Sequence, residues 1–131
     1  SWIESLPVAI SWSNSLVVHG GIDHRKPVVE HDLTELLNMR SLVPGGSYDR
    51  PYWFETRSAQ PRVFFGHTVL SEAFETEAAV GLDTGCVYGR ELTAYRCSTG
   101  EFISIDANKA HENRSMDSIV VPERAPTIPT S

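Results

Sequence analysis

The chain has 131 residues, of which 40% are hydrophobic and 21% charged, and its formal net charge is −6. That balance is one of a single soluble globular domain rather than a disordered chain, and the negative charge argues against a protein built to hold a nucleic-acid backbone, which needs Lys and Arg on phosphates. No apolar run approaches the roughly 20 residues of a membrane span, and no basic segment followed by an apolar one marks a signal peptide, although Ser1 in first position leaves an upstream targeting segment open.

Taken in chain order, Pro7 to Trp12 and Leu16 to Val18 are short apolar runs around Ser13-Asn14-Ser15, which predicts a hairpin or two adjacent strands. From Asp32 to Arg40 the period changes: Leu33, Leu36 and Leu37 fall at i, i+3 and i+4, the pattern of one helical face. Asp32 followed three residues later by Glu35 resembles a capping box, and Pro44-Gly45-Gly46 supplies the stop. Gly45 to Pro61 is predicted as a loop with room for a short helix, since Pro51 and Pro61 interrupt it. Arg62 to Phe65 and Ala79 to Leu82 read as buried strands, and Leu92–Cys97 with Phe102–Ile105 as a hairpin around Ser98-Thr99-Gly100. Beyond Asp117 the chain turns rich in Pro, Thr and Ser, so residues 108–131 are expected to form a polar tail, extended or disordered. Cys86 and Cys97 have neither CxxC nor zinc-ligand spacing and read as reduced thiols of a cytoplasmic protein.

Two places share one local design. Leu16-Val17-Val18 runs into His19-Gly20-Gly21, and Val63-Phe64-Phe65 runs into Gly66-His67-Thr68. Each is a buried strand ending in a histidine beside glycine. A rigid strand end can hold a ligand in place, and glycine lets backbone approach an ion or phosphate closely. Neutral imidazole is a common ligand of divalent first-row metals. The same pattern suits a hydrogen-bonded turn histidine, so spacing alone leaves both readings open.

Four segments in series carry a resemblance: VHGGID at Val18–Asp23, LLNMR at Leu36–Arg40, VFFGHT at Val63–Thr68 and GLDTGCVYGRELTAY at Gly81–Tyr95. In order and spacing, from about Ser1 to Ala107, they resemble the second half of the calcineurin-like metallophosphoesterases, nearest to bacterial serine/threonine protein phosphatases and ApaH-like diadenosine tetraphosphatases. The resemblance implies an α+β fold: half of a calcineurin-like β-sandwich with flanking helices, mostly one mixed sheet, over residues 1–107. It implies His19 and His67 as ligands of the second ion of a two-metal centre. Manganese is preferred, with iron or zinc open, because ligand type alone does not choose among them. Arg40 is implied to face the substrate phosphate, where a guanidinium fork suits phosphate oxygens; the alternative is a solvated or ion-paired arginine at a helix end. Tyr88 is implied at the border of the site, with a Tyr packed under its loop as the alternative. His24, His31 and His111 read as surface histidines.

The Asp-x-His, GDxxDRG and GNH[DE] segments of the family's first half have no counterpart in the sequence. They supply the bridging aspartate, the ligands of the first ion and the histidine general acid. The expected parent is therefore a metal-dependent phosphoester hydrolase, protein phosphatase-like or acting on dinucleoside polyphosphates, of which this chain is an incomplete, silent fragment. The missing first half is expected in cis or in trans. A phosphate- or protein-binding half-domain without chemistry is the remaining reading. A phosphorylated substrate is compatible with the negative charge, because metal supplies positive charge locally.

Overall fold

The computed structural model describes residues 1–57, 60–112 and 118–123. Strands β1 (Ala9–Trp12) and β2 (Ser15–Val18) form the predicted hairpin, with Ala9 opposite Val18 and Trp12 opposite Ser15. Its two-residue connection starts with Ser13 at φ 48°, the positive φ that a tight hairpin turn requires for its twist to match the strands. A long crossover carrying α1 (Leu33–Asn38) and α2 (Trp53–Thr56) then leads to β3 (Arg62–Phe65), which lies parallel to β2. Parallel pairing requires such a crossover, because the chain must return to the same end of the sheet. β4 (Phe74–Glu75) and β5 (Ala79–Gly81) follow, and β5 runs parallel to β3. The result is a mixed five-stranded sheet in the order β1-β2-β3-β5-β4, beside a separate hairpin of β6 (Glu91–Arg96) and β7 (Glu101–Asp106). This matches the expected α+β architecture dominated by one mixed sheet.

One face of the sheet is packed. Leu16, Val18, Val63, Phe65 and Ala79 point into a core completed by Trp53, Phe54 and Phe74. Phe65 meets Trp53 edge-on at 4.7 Å and stacks on Phe54 at 4.8 Å, geometries that aromatic quadrupoles favour. The single turn α2 thus exists to carry two aromatic side chains with no exposed surface, not because four residues hold a helix on their own.

Helix α1 begins as predicted. The Asp32 carboxylate accepts the Glu35 amide at 2.8 Å, and the Glu35 carboxylate accepts the Asp32 amide at 3.1 Å. It ends earlier than predicted, at Asn38, well before Pro44. Met39 turns to φ −57°, ψ 128°, out of the helix, while the Leu36 carbonyl is taken by the Gly20 amide at 2.8 Å, which satisfies one of the end's orphan acceptors. The inward face also differs: Leu36 and Met39 pack against the core and Leu33 stays exposed.

Part of the segment read as a tail is built into the domain. Val120 is buried, its amide donates to Val69 O at 2.8 Å and its carbonyl accepts the Ser71 amide at 2.8 Å. Residues 113–117 and 124–131 lie outside the described residues. Both Cys86 and Cys97 are free thiols. Among the described residues no helix is long and apolar enough to cross a membrane.

Candidate metal and phosphate site

The site grows from the shared register of three parallel strands. Val17 of β2 stands opposite Phe64 of β3, and Phe65 opposite Gly81 of β5. Each strand therefore ends at the same edge of the sheet, delivering His19, His67 and Asp83 there in turn. The strand-end amide of Gly66 donates to His19 O at 2.9 Å and that of Leu82 to Phe65 O at 3.0 Å, extending the ladders by one step.

His19 and His67 meet at this edge. Their ring centroids are 5.0 Å apart and the planes are tilted by 57°, and both line one cleft of about 920 Å³ together with Asp83, Thr84 and Cys86. His67 sits at φ 64°, a left-handed conformation uncommon for a side-chain-bearing residue. It is the middle of a three-residue turn closed by the Thr68 amide on Gly66 O at 2.7 Å. Such strain is held by its surroundings: here Thr68, Val69 and Leu70 are buried immediately after it.

The turn after His19 is held from both sides. A Cβ on Gly20 would stand 2.7 Å from Leu37 C and Met39 N, and one on Gly21 would stand 2.1 Å from the Trp53 ring. The backbone here passes under α1 and over α2 with no room for a side chain. Gly66 differs, since a Cβ there would meet nothing closer than His19 O at 3.8 Å. Further along, Asp23 takes Arg25 on both carboxylate oxygens, Nε and Nη2 each donating at 2.9 Å. That side-chain hydrogen bonding, before the opposing effect of burial, holds the Asp23 pKa down at about 2. His31 was expected at the surface. Instead its Nε2 accepts the Asp23 amide at 2.7 Å and its Nδ1 lies 3.0 Å from Pro27 O, so the ring ties the HGGID turn to the following loop. His24 and His111 are exposed.

Arg40 is not among the residues that line the histidine cleft. Because α1 stops at Asn38, Arg40 lies beyond the helix, and its Nη1 donates to Ser47 Oγ at 3.2 Å while its guanidinium lies 4.9 Å above the Tyr48 ring. It lines a different groove, shared with Asp23, Arg25 and Asn38. Tyr88 is likewise absent from the lining of the histidine cleft; its backbone bridges to Ala110. Asp83, read from sequence as a strand-ending residue, does reach the cleft, and its Oδ1 accepts the Gly85 amide at 3.1 Å. The register of β5 against β3 places it there.

Two adjacent imidazoles at a solvent-open edge are a suitable donor pair for a divalent metal. A complete site needs more. Among the described residues no group of three or more His, Cys, Asp or Glu side chains is arranged to hold an ion. Among the described residues the donor set thus fits two ligands of a centre.

Parallel strands ending in this histidine pair, on a mixed sheet backed by short helices, define a partial calcineurin-like fold. The chain is homologous to the bis(5'-nucleosyl)-tetraphosphatases of the calcineurin-like metallophosphoesterases. It is 28% identical over 97 residues to the asymmetrical bis(5'-nucleosyl)-tetraphosphatase PrpE of Oceanobacillus iheyensis, covering 70% of this chain and 39% of that protein. To the symmetrical bis(5'-nucleosyl)-tetraphosphatase of Pseudomonas putida it is 30% identical over 109 residues, covering 72% of this chain and 36% of that one. A solved structure described as "a putative diadenosine tetraphosphatase" superposes with a TM-score of 0.70 at 27% identity, over 81% of this chain and 53% of its own. The chain therefore spans well under half the length of these two curated relatives. No family profile matches it.

Proposed function

We propose that this chain supplies one side of the metal centre of a dinucleoside polyphosphate hydrolase, with His19 and His67 holding one divalent ion. The observation that carries the reading is the 5.0 Å approach of the two imidazoles at the ends of adjacent parallel strands. The names of the relatives favour a nucleoside polyphosphate over a phosphoprotein substrate. A bound divalent ion supplies Lewis-acid polarisation of a phosphoryl oxygen and a more acidic bound water. The protein's part is to fix the two rings: β2 and β3 set their separation, and the His67 turn sets the angle of its ring. Manganese is the first choice of metal, with iron or zinc next. Arg40 and Tyr88 remain the candidates for contact with the substrate phosphate, from outside the lining of the cleft itself. The remaining donors, including a bridging carboxylate, come from polypeptide that the sequence does not contain, so residues 1–131 alone bind the ion loosely and turn over nothing.

Calorimetric titration of manganese chloride into the 131-residue chain tests this. Loose, saturable binding that disappears in both His19→Ala and His67→Ala is expected, with no hydrolysis of bis(5'-adenosyl) tetraphosphate. Unchanged binding in the two variants refutes the ligand pair. Strong turnover by the chain alone refutes its incompleteness.

A further inference from the structure

The segment around Val120, which returns to the domain after the β6–β7 hairpin, touches the support of each histidine. Val120 pairs with Leu70 in a parallel bridge: its amide donates to Val69 O and its carbonyl accepts the Ser71 amide, both at 2.8 Å. From its other side the Leu70 amide donates to Asp83 O at 2.8 Å. The stretch that starts two residues after His67 is therefore gripped between the end of β5 and Val120, whose side chain is buried in the core. A second anchor follows at once. Arg50 Nη2 donates to Val121 O at 2.7 Å, and the Glu123 amide donates to Glu55 Oε2 at 2.8 Å. Arg50 and Glu55 are themselves ion-paired, with the Glu55 side chain 8% exposed. Glu55 belongs to α2, whose Trp53 ring packs against Gly21, two residues after His19.

We infer that Val120 and Arg50 are positioning residues of the metal site, making this returning segment a brace that sets the His67 ring against the His19 ring. The β2–β3 ladder cannot do so alone. Its last rung joins Gly66 to His19 O, and His67 lies beyond it, at φ 64°. A residue held in that conformation keeps it only while its surroundings over-determine it. Here the following residues, Val69 to Ser71, are tied on one side to β5 and on the other to Val120. Through Arg50 and Glu55 the same segment is tied to α2, under the His19 turn. Neither Val120 nor Arg50 lines the cleft, so both act through the backbone that carries the rings. A ligand pair that is loosely held loses affinity even when both ligands are present. What the geometry serves follows from the proposed ligand pair, on which this rests, whereas the geometry itself is observable without metal.

Nuclear magnetic resonance of the metal-free 131-residue chain reads the ring pair directly, as a nuclear Overhauser contact between His19 and His67. Val120→Pro removes the donor to Val69 O and keeps an apolar side chain. It should lose the ring contact while the cross-strand contacts of β2 with β3 persist. Arg50→Met keeps the length of the side chain without its donors and should do the same. Manganese affinity should fall roughly tenfold in both. Val120→Ala, which keeps both backbone bonds, should lower the melting temperature and yet retain the ring contact, separating position from stability. Retention of the contact in Val120→Pro overturns the inference. So does its loss only together with the β2–β3 contacts, which makes the segment a general support of the fold. Where Val120→Pro does not fold, Arg50→Met decides on the same terms. A parent chain that shows the ring contact but binds no manganese refutes the ligand pair and leaves the brace standing; a parent without the contact overturns both.

Discussion

His19 and Gly66 are joined by a backbone hydrogen bond of 2.9 Å, Gly66 amide to His19 carbonyl, which is the last rung of the β2–β3 ladder. It fixes the two histidines one residue out of step. His19 leaves its strand directly, whereas His67 follows only after Gly66, in a turn at positive φ. The two rings therefore converge from different backbone conformations, and each can be tested separately.

The positive φ of His67 should make its backbone and its ring separable. His67→Gly removes the imidazole and the left-handed penalty together, whereas His67→Ala removes only the imidazole. The glycine variant is expected to be more stable than the alanine variant by about 1 kcal/mol, measured by urea denaturation. Both should lose manganese binding equally. Equal stabilities would show that the turn carries no strain.

The three glycines beside the histidines should divide sharply. Gly21→Ala would drive a methyl group to 2.1 Å from the Trp53 ring and Gly20→Ala to 2.7 Å from the backbone at the end of α1. Losses of roughly 1–3 kcal/mol are expected for such overpacking. Gly66→Ala would make only ordinary van der Waals contacts, at 3.8 Å from His19 O and 4.0 Å from Asp83 Cβ, and should change thermal stability little. A well-folded Gly21→Ala protein with an unchanged melting temperature would contradict the packing described.

His31 should behave as a structural clamp. His31→Ala leaves the Asp23 amide without its 2.7 Å acceptor, at an expected loss of about 1–2 kcal/mol in chemical denaturation. His31→Gln, which still offers an acceptor, should recover part of it. Metal binding should be weakened only through looseness of the HGGID turn, so a variant that loses manganese at unchanged stability would assign His31 to the site.

The Asp23–Arg25 pair predicts an acid limb. The Asp23 carboxyl is lowered from 3.8 to about 2 in the folded chain. A lowered carboxylate pKa stabilises the fold above the unfolded value, and that stabilisation fades as pH falls from about 4 towards about 2. Arg25 is largely solvated, with 58% of its side chain exposed, so the contribution is small and screened by salt. The stability gap between the parent and Asp23→Asn should be constant above pH 4 and close below it. A gap that widens in acid would reverse the sign.

What the sequence made legible is local and repetitive. The apolar runs before His19 and His67 read as buried strands, which holds for β3 but only for one face of β2, where Val17 is exposed, and their shared ending pointed to one sheet edge. Asp32 and Glu35 announced a helix start because a capping box is written in neighbouring residues. The illegible parts depend on distant contacts. Phe74–Glu75 is too short for any period, and α2 exists because Trp53 and Phe54 fill the core. The end of α1 is set by the Gly20 amide, sixteen residues before Leu36, and this shift carries Arg40 to the Ser47 side. Asp83 joins the cleft through the register of β5, and His31 found its partner across the turn rather than in solvent.

Arg62 lies between the sheet and the β6–β7 hairpin. Its Nη1 donates to Tyr95 Oη at 3.1 Å, its Nη2 to Glu75 at 3.0 Å, and its guanidinium lies 5.4 Å from the centre of the Tyr95 ring. Since β3 floors the cleft and β6 forms its far wall, this one side chain acts as a spacer that gauges the gap between them. Whatever enters that gap meets walls already set to a fixed width, rather than two surfaces that must first find each other.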